Sequence, residues 1–229
     1  MYREDLAYIH HAGFSEFAES ASRGILQILR NAGVTAGRVV DAGCGSGVLA
    51  RELTRAGFDV FGFDISPSMI ALARETAPEA EFAVASLASP LPPCAAIVAV
   101  GEIVNYAGLD AVRTFIHNAA GALQPGGVLL FDAAESDSYP PYDERRVDGG
   151  DWTVIAIKES DGAKLTRRVL TFRADGDTMR RDEEVHELEL YDRAELTQLM
   201  RDAGFRVKVR RSYGSRRLPM GHEVYVGLR

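Results

Sequence analysis

The segment Val39-Val40-Asp41-Ala42-Gly43-Cys44-Gly45-Ser46-Gly47 restricts the fold more than any other. It reads as a buried strand closing on an acid, a turn with glycine at every second position, and the start of a helix. Glycine lacks a Cβ and tolerates positive φ, so such a turn brings backbone close to a ligand. The helix behind it presents unpaired N–H groups and the positive end of its dipole. A second apolar run, Val60-Phe61-Gly62-Phe63-Asp64, also closes on an acid, placed to accept hydrogen bonds from both hydroxyls of a ribose.

Strands and helices alternate around this segment. Phe14, Phe17, Ala18, Ala21, Ile25, Ile28 and Leu29 fall at helical spacing, which predicts an amphipathic helix ahead of the first strand. Strand 38–41 leads into helix 46–56, and strand 59–64 into a helix opened by the cap Ser66 and Pro67. Strands follow at 81–85 and 96–100, then a helix over about 110–123. Pro125-Gly126-Gly127 turns the chain into a fifth strand, 128–132. The alternation predicts an α/β fold, a Rossmann-like, seven-stranded, mostly parallel sheet with helices on both faces. After Asp132 come three β-rich runs, 152–159, 165–173 and 178–190, which predict a three-stranded antiparallel insertion. The expected layout is one domain over residues 1–229, with a helical lid at 1–35 and a ligand-binding core at 38–132. The β insertion occupies 133–191, and a terminal helix and β hairpin 192–229.

Charge narrows the partners. The net charge is −7, and the first 150 residues hold 10 Lys/Arg against 19 Asp/Glu. An acidic chain is poorly suited to nucleic acid, where phosphate neutralisation supplies most of the affinity. Arg206, Lys208, Arg210, Arg211, Arg216 and Arg217 form a local basic cluster, but alternation with Val207 and Val209 reads as the wet face of a strand. No apolar run reaches membrane-spanning length, the first residues lead into no signal region, and two cysteines make no disulfide framework. A cytoplasmic protein, monomeric or homodimeric, is expected. Cys44, between glycines, reads as a small residue that fits.

A nicotinamide-type loop would carry Gly-x-Gly-x-x-Gly/Ala, but counting from Gly43 the last position is Val48. A phosphate-cradling loop would need Gly-Lys-Ser/Thr, and no such lysine is present. Asp41 and Asp64 repel phosphate and welcome donors, so a ligand with an ammonium group, a ribose and no phosphate fits better.

Asp41-x-Gly43-x-Gly45-x-Gly47 with Asp64 closing the next strand resembles the class I S-adenosylmethionine-dependent methyltransferases of small-molecule type. Asp64-Ile65-Ser66-Pro67-x-Met69 and Leu123-Gln124-Pro125-Gly126-Gly127 agree with it, so the resemblance is strong over residues 38–132. It implies S-adenosylmethionine as cofactor. Gly43, Gly45 and Gly47 would pass under its methionine part, with Asp41 near the ammonium group and Asp64 on the ribose. Ile65, Met69, Ser86 and Leu87 would contact adenine, and Ser86 departs from the acid many relatives carry there. Gly101 and Glu102 would lie beside the departing methyl. The N-terminal segment, with Tyr2, Tyr8, His10 and His11, would fold over the cofactor, which makes Tyr8 a further cofactor contact.

Methyl transfer from a sulfonium is an in-line displacement, so the protein mainly aligns and desolvates two reactants. Glu102, Tyr106 and His11 are the candidate catalytic residues, and Asn105 accompanies them past the fourth strand. The insertion carries Glu183, Glu184 and His186, but alternation between Val185 and Glu187 places His186 on the wet face. No spacing suits a metal. The expected activity is methylation of N or O on a small molecule. Methylation of protein or RNA, or cofactor binding without turnover, remains open at this level.

Overall fold

The computed structural model describes all 229 residues. Two helices lead, α1 (Glu4–Phe14) and α2 (Glu16–Asn31), followed by β1 (Arg38–Ala42), α3 (Val48–Arg55), β2 (Asp59–Asp64), α4 (Pro67–Thr76) and β3 (Glu81–Val84). Then come β4 (Cys94–Ala99), a 3-10 turn (Ile103–Tyr106), α5 (Leu109–Ala122) and β5 (Leu123–Ala134). The insertion holds β6 (Tyr142–Asp148), β7 (Trp152–Ser160), β8 (Lys164–Asp175) and β9 (Thr178–Glu189). The chain closes with α6 (Arg193–Asp202), β10 (Arg206–Arg210), β11 (Ser212–Tyr213), β12 (Arg216–Arg217) and β13 (His222–Leu228).

Seven strands form one sheet in the order β10-β13-β5-β4-β1-β2-β3. Strands β1 to β5 run parallel, and β13 runs antiparallel to both its neighbours, β5 and β10. Continuous apolar strands suit a sheet covered on both faces. Val39, Val98, Val128 and Leu130 meet Ile25 and Leu29 of α2 and Leu49 and Leu53 of α3 on one side. Val40, Ile97, Leu129 and Phe131 meet Phe115 and Ile116 of α5 and Leu196 and Met200 of α6 on the other. Each such fully buried aliphatic side chain contributes about 1.5–3 kcal/mol. The strand order reverses between β1 and β4, and the crevice beyond their carboxyl ends is where open α/β sheets bind ligands.

The insertion is antiparallel, as the sequence pattern suggests, and has four strands instead of three. The additional β6 is an edge strand, Tyr142-Asp-Glu-Arg-Arg-Val-Asp148, with no buried residue. It has no apolar face to betray it, and its charges suit an edge exposed to solvent. In the lid region the structure has two helices where one is expected from the spacing. Helix α2 packs on the main sheet, whereas Leu6 and Ile9 of α1 pack on Trp152, Val154 and Val169 of the insertion. The N-terminal arm therefore bridges the two sheets. Arg206, Lys208 and Arg210 are exposed along β10, as the alternation implies.

Candidate active site

Two groups of side chains meet at the carboxyl end of the main sheet. The first surrounds the glycine turn. Gly47 caps α3 at φ 80°, and a Cβ there would come within 2.9 Å of the Ala73 backbone in α4. Gly45, at φ 52°, differs: a Cβ built on it meets nothing within 4 Å, so the space beside it is open. Cys44 N–H donates to the Phe63 carbonyl at 2.9 Å, tying the turn to β2.

Asp41 is 2% exposed, and its Oδ2 has no hydrogen-bond partner. Burial, with Asp64 adding to it, pushes its carboxyl up to about 7. Asp64 Oδ2 accepts Gly45 N–H at 3.1 Å and Oδ1 accepts Ser66 N–H at 2.8 Å. Burial still holds Asp64 above its ordinary value. Each carboxylate oxygen has two lone pairs, so Asp64 keeps acceptor capacity for hydroxyl groups. Ile65 beside it is exposed, while Met69 is buried and its N–H is capped by Ser66 Oγ at 3.1 Å. Ser86 is exposed with its Oγ 3.3 Å from Ser89 Oγ, and Leu87 packs partly against the core. His11 reaches this group, its Nδ1 lying 3.0 Å from Ser46 Oγ. Tyr8 turns elsewhere: its hydroxyl donates to Asp151 at 3.0 Å and Arg173 stacks on its ring.

The second group lies beyond β4. Gly101 and Glu102 both have positive φ, 96° and 62°, and the latter strains an ordinary side chain. Asp132, closing β5, holds this turn by accepting Gly101 N–H at 2.7 Å, Glu102 N–H at 3.4 Å and the Tyr213 hydroxyl at 3.0 Å. Burial nevertheless lifts Asp132 to about 6. Glu102 is thereby aimed at three donors. Its Oε1 accepts from the Tyr139 hydroxyl and His222 Nε2, both at 2.9 Å, and its Oε2 accepts from Arg167 Nη2 at 3.1 Å. Burial opposes the Glu102 charge, but the His222 hydrogen bond and the Arg167 charge outweigh it and bring its pKa to about 2. His222 Nδ1 also faces the Met220 carbonyl at 3.3 Å, so both ring nitrogens meet acceptors. Glu102 holds the His222 pKa above its usual value despite burial.

Tyr106 joins this group: its hydroxyl accepts from Arg167 Nη1 at 2.7 Å and lies 3.4 Å from that of Tyr2. The Tyr2 ring contacts both His10 and His186. Burial, then the charge of Arg167, lowers His10 to about 4, which keeps it neutral. His186 is 4% exposed, not on the wet face expected from alternation, and Val185 is the exposed neighbour at 57%. The sheet turns Glu184, His186 and Leu188 inward together. Asn105 is wholly buried and spends its amide on the Ala134 and Glu189 backbones, a structural role.

The structure thus gathers Asp41, Asp64 and the glycine turn in one corner, and Gly101, Glu102 and Tyr106 in the other. Tyr139, Arg167, Glu184, His186 and His222 complete the second corner. Asp132 carried a usable signal, since it closes a strand as Asp41 and Asp64 do. A buried unpartnered carboxylate oxygen suits an ammonium group, a second acid with free lone pairs suits ribose hydroxyls, and an open glycine suits a closely approaching ligand. The residues present therefore fit S-adenosylmethionine. No cluster of His, Cys, Asp and Glu suits a metal ion.

The family model described as "Methyltransferase domain" matches residues 14–208. Magnesium-protoporphyrin O-methyltransferase of Rhodobacter capsulatus is 37% identical over 35% of this chain and 38% of its own length. Trans-aconitate 2-methyltransferase of Delftia acidovorans is 31% identical over 54% of this chain and 48% of its own length. The chain thus matches less than half the length of either curated relative. Among solved structures, an S-adenosylmethionine-dependent methyltransferase from Clostridium acetobutylicum superposes with a TM-score of 0.84 at 16% identity, covering 97% of this chain and 96% of that one. A sugar N-methyltransferase from Streptoalloteichus gives a TM-score of 0.83 at 19% identity, covering 100% and 94%. These likenesses show the shared fold, and the family match spans most of the sequence: the chain belongs to the family described as "Methyltransferase domain".

Proposed function

We propose that the protein transfers a methyl group from S-adenosylmethionine to an oxygen or nitrogen of a small-molecule acceptor. The observation that carries this is Asp41 Oδ2, a buried carboxylate oxygen without a partner beside a glycine turn with open space at Gly45. Asp41 holds the ammonium group, Asp64 the ribose hydroxyls, and Gly43, Gly45 and Gly47 the methionine part. Ile65, Met69, Ser86 and Leu87 flank adenine, and Gly101 lies beside the methyl. Tyr8, its hydroxyl on Asp151, is the arm's candidate contact to the cofactor. His11 steadies the turn through Ser46.

The bound cofactor supplies a methyl on a cationic sulfur, already electrophilic. The protein's part is to align the acceptor and exclude water, and alignment alone contributes about 7–11 kcal/mol. Glu102 is a positioning residue, because with three donors on its oxygens and a pKa of about 2 it takes no proton near neutrality. It fixes Arg167, Tyr139 and His222. Tyr106 faces the acceptor.

Printed names among the relatives, including magnesium-protoporphyrin and ubiquinone-biosynthesis O-methyltransferases and a sugar N-methyltransferase, support a small-molecule acceptor. No helix is long and apolar enough to cross a membrane. Both cysteines are free, as a reducing cytoplasmic setting would keep them. A monomer or homodimer without nucleic acid is part of the same reading.

Thermal unfolding with S-adenosylhomocysteine tests the proposal. A ligand at 100 times its Kd stabilises the folded state by about 2.7 kcal/mol, so Tm rises by several degrees, and Asp64→Ala removes most of that rise. No shift, or an equal shift with NADH, refutes it.

A further inference from the structure

The hydrogen inventory of the second corner selects an acceptor. Arg167 donates through Nη1 to Tyr106 and through Nη2 to Glu102, while its buried Nε–H has no partner. Tyr106 and Tyr2 hold two hydroxyl protons between them. The hydroxyl of Tyr106 already accepts from Arg167, and the Tyr2–Tyr106 contact uses one proton. One hydroxyl proton is left, and no protein acceptor lies within hydrogen-bond distance of either oxygen. An N–H of Arg167 and one O–H of the tyrosine pair thus stand unmet, on groups that Arg167 Nη1 ties together. His10 Nδ1 and His186 Nε2 are also unpartnered and can present either a proton or a lone pair. His186 Nε2 is 3.4 Å from Glu184 Oε2 without the alignment of a hydrogen bond. Buried donors without acceptors carry a desolvation cost, which is relieved when a ligand supplies oxygen lone pairs.

Charge points the same way. The single Glu102 carboxylate is shared between Arg167 and His222, while Lys158 is matched by Asp143 at 3.5 Å. Asp132 faces the turn backbone and Tyr213, and Glu184 accepts the Arg3 N–H and lies beside His186. The Arg167 side chain stays 16% exposed. Glu102, which the resemblance places beside the methyl, cannot serve as a base at neutral pH. A nucleophile that needs deprotonation finds no help from it, whereas a carboxylate arrives ionised.

We infer that the methylated group is a carboxylate, held by Arg167 and the Tyr2–Tyr106 hydroxyl pair. The inference rests on the methyl-transfer reading above. One carboxylate oxygen is held by these donors, and the other attacks the methyl carbon. The C–O bond forms as the C–S bond breaks, the electron pair passes to sulfur, and a methyl ester and a neutral thioether result. No proton moves.

The test uses the full chain saturated with S-adenosylhomocysteine, whose own Tm shift reports the cofactor reading separately. Succinate, malonate, benzoate and phenylacetate are titrated by calorimetry against their amides and the amines of the same skeleton. The expected result is binding by acids alone, weakened at least tenfold by Arg167→Lys and severalfold by Tyr106→Phe, with the S-adenosylhomocysteine shift retained. With S-adenosylmethionine, the product carries a methyl released as methanol by mild alkali. Arg167→Lys keeps the charge but loses the planar fork, and Tyr106→Phe tests the site if the first variant does not fold. Equal binding of amides or amines, no acid binding at all, acid binding indifferent to both substitutions, or an alkali-stable methyl overturns the inference.

Discussion

The two corners of the crevice treat their acids in opposite ways. Asp41 is buried with an oxygen unmet and a carboxyl lifted to about 7, whereas Glu102, its side chain 19% exposed, has both oxygens met and falls to about 2. Burial acts on both; what differs is the company. Near Asp41 the other charge is an acid, Asp64, and near Glu102 it is Arg167 and His222. Asp41 has no cation as a partner, whereas the Glu102 carboxylate is shared by two, Arg167 and His222.

Glu102→Gln gives the largest effect expected from breaking this comparison. Removing one partner of an enclosed pair costs about 3–5 kcal/mol, because Arg167 and His222 lose their counter-charge. Denaturant unfolding at pH 7 measures it, and a variant as stable as the parent would mean that Glu102 is not the hub. The pH dependence follows from its lowered pKa. The unfolded state binds more protons through this group between its ordinary value of 4.5 and about 2, so its stabilisation is full above that window and lost as pH falls through it.

Asp41→Asn has the opposite sign. Its raised pKa means that the folded state binds the extra proton between 3.8 and about 7, so its contribution falls as pH rises through that window. Each tenfold change in proton affinity corresponds to about 1.4 kcal/mol, which sets an upper bound of about 4 kcal/mol. The ligand-free variant is therefore more stable than the parent at pH 8 and equal to it at pH 3, while its affinity for S-adenosylhomocysteine drops. Equal stability at both pH values would erase the contrast with Glu102.

Ser66→Ala is the smallest. Ser66 caps α4 by accepting Met69 N–H and also donates to the Tyr2 carbonyl. Loss of the cap costs about 1 kcal/mol, and the arm is freed at Tyr2, so hydrogen exchange in residues 2–7 accelerates more than in α4. Equal protection of the arm in both proteins would show that other contacts hold it.

The same contrast explains what the sequence disclosed. The cofactor corner is built from residues close in sequence on one strand–turn–helix unit and the end of the next strand, so spacing alone exposes it. The acceptor corner draws Tyr106, Tyr139, Arg167, His186 and His222 from five separate stretches, and only the folded insertion and the terminal strand unite them. His186 shows why local pattern fails there. Alternation assigns the apolar Val185 to the interior, but β9 turns its polar face inward, where Glu184 and His186 meet the arm. Strands that contradict their own pattern are expected at functional sites. Strand β6 escaped for another reason, since an edge strand without a buried residue leaves no apolar period to read.

The raised pKa of Asp41 has a consequence for any measurement of cofactor binding. An ammonium group docked beside it favours the ionised carboxylate, so at neutral pH part of the protein population must expel a proton to the solvent on complex formation. The heat observed then includes the ionisation heat of whatever buffer captures that proton, and it differs between phosphate and Tris although the affinity at fixed pH does not.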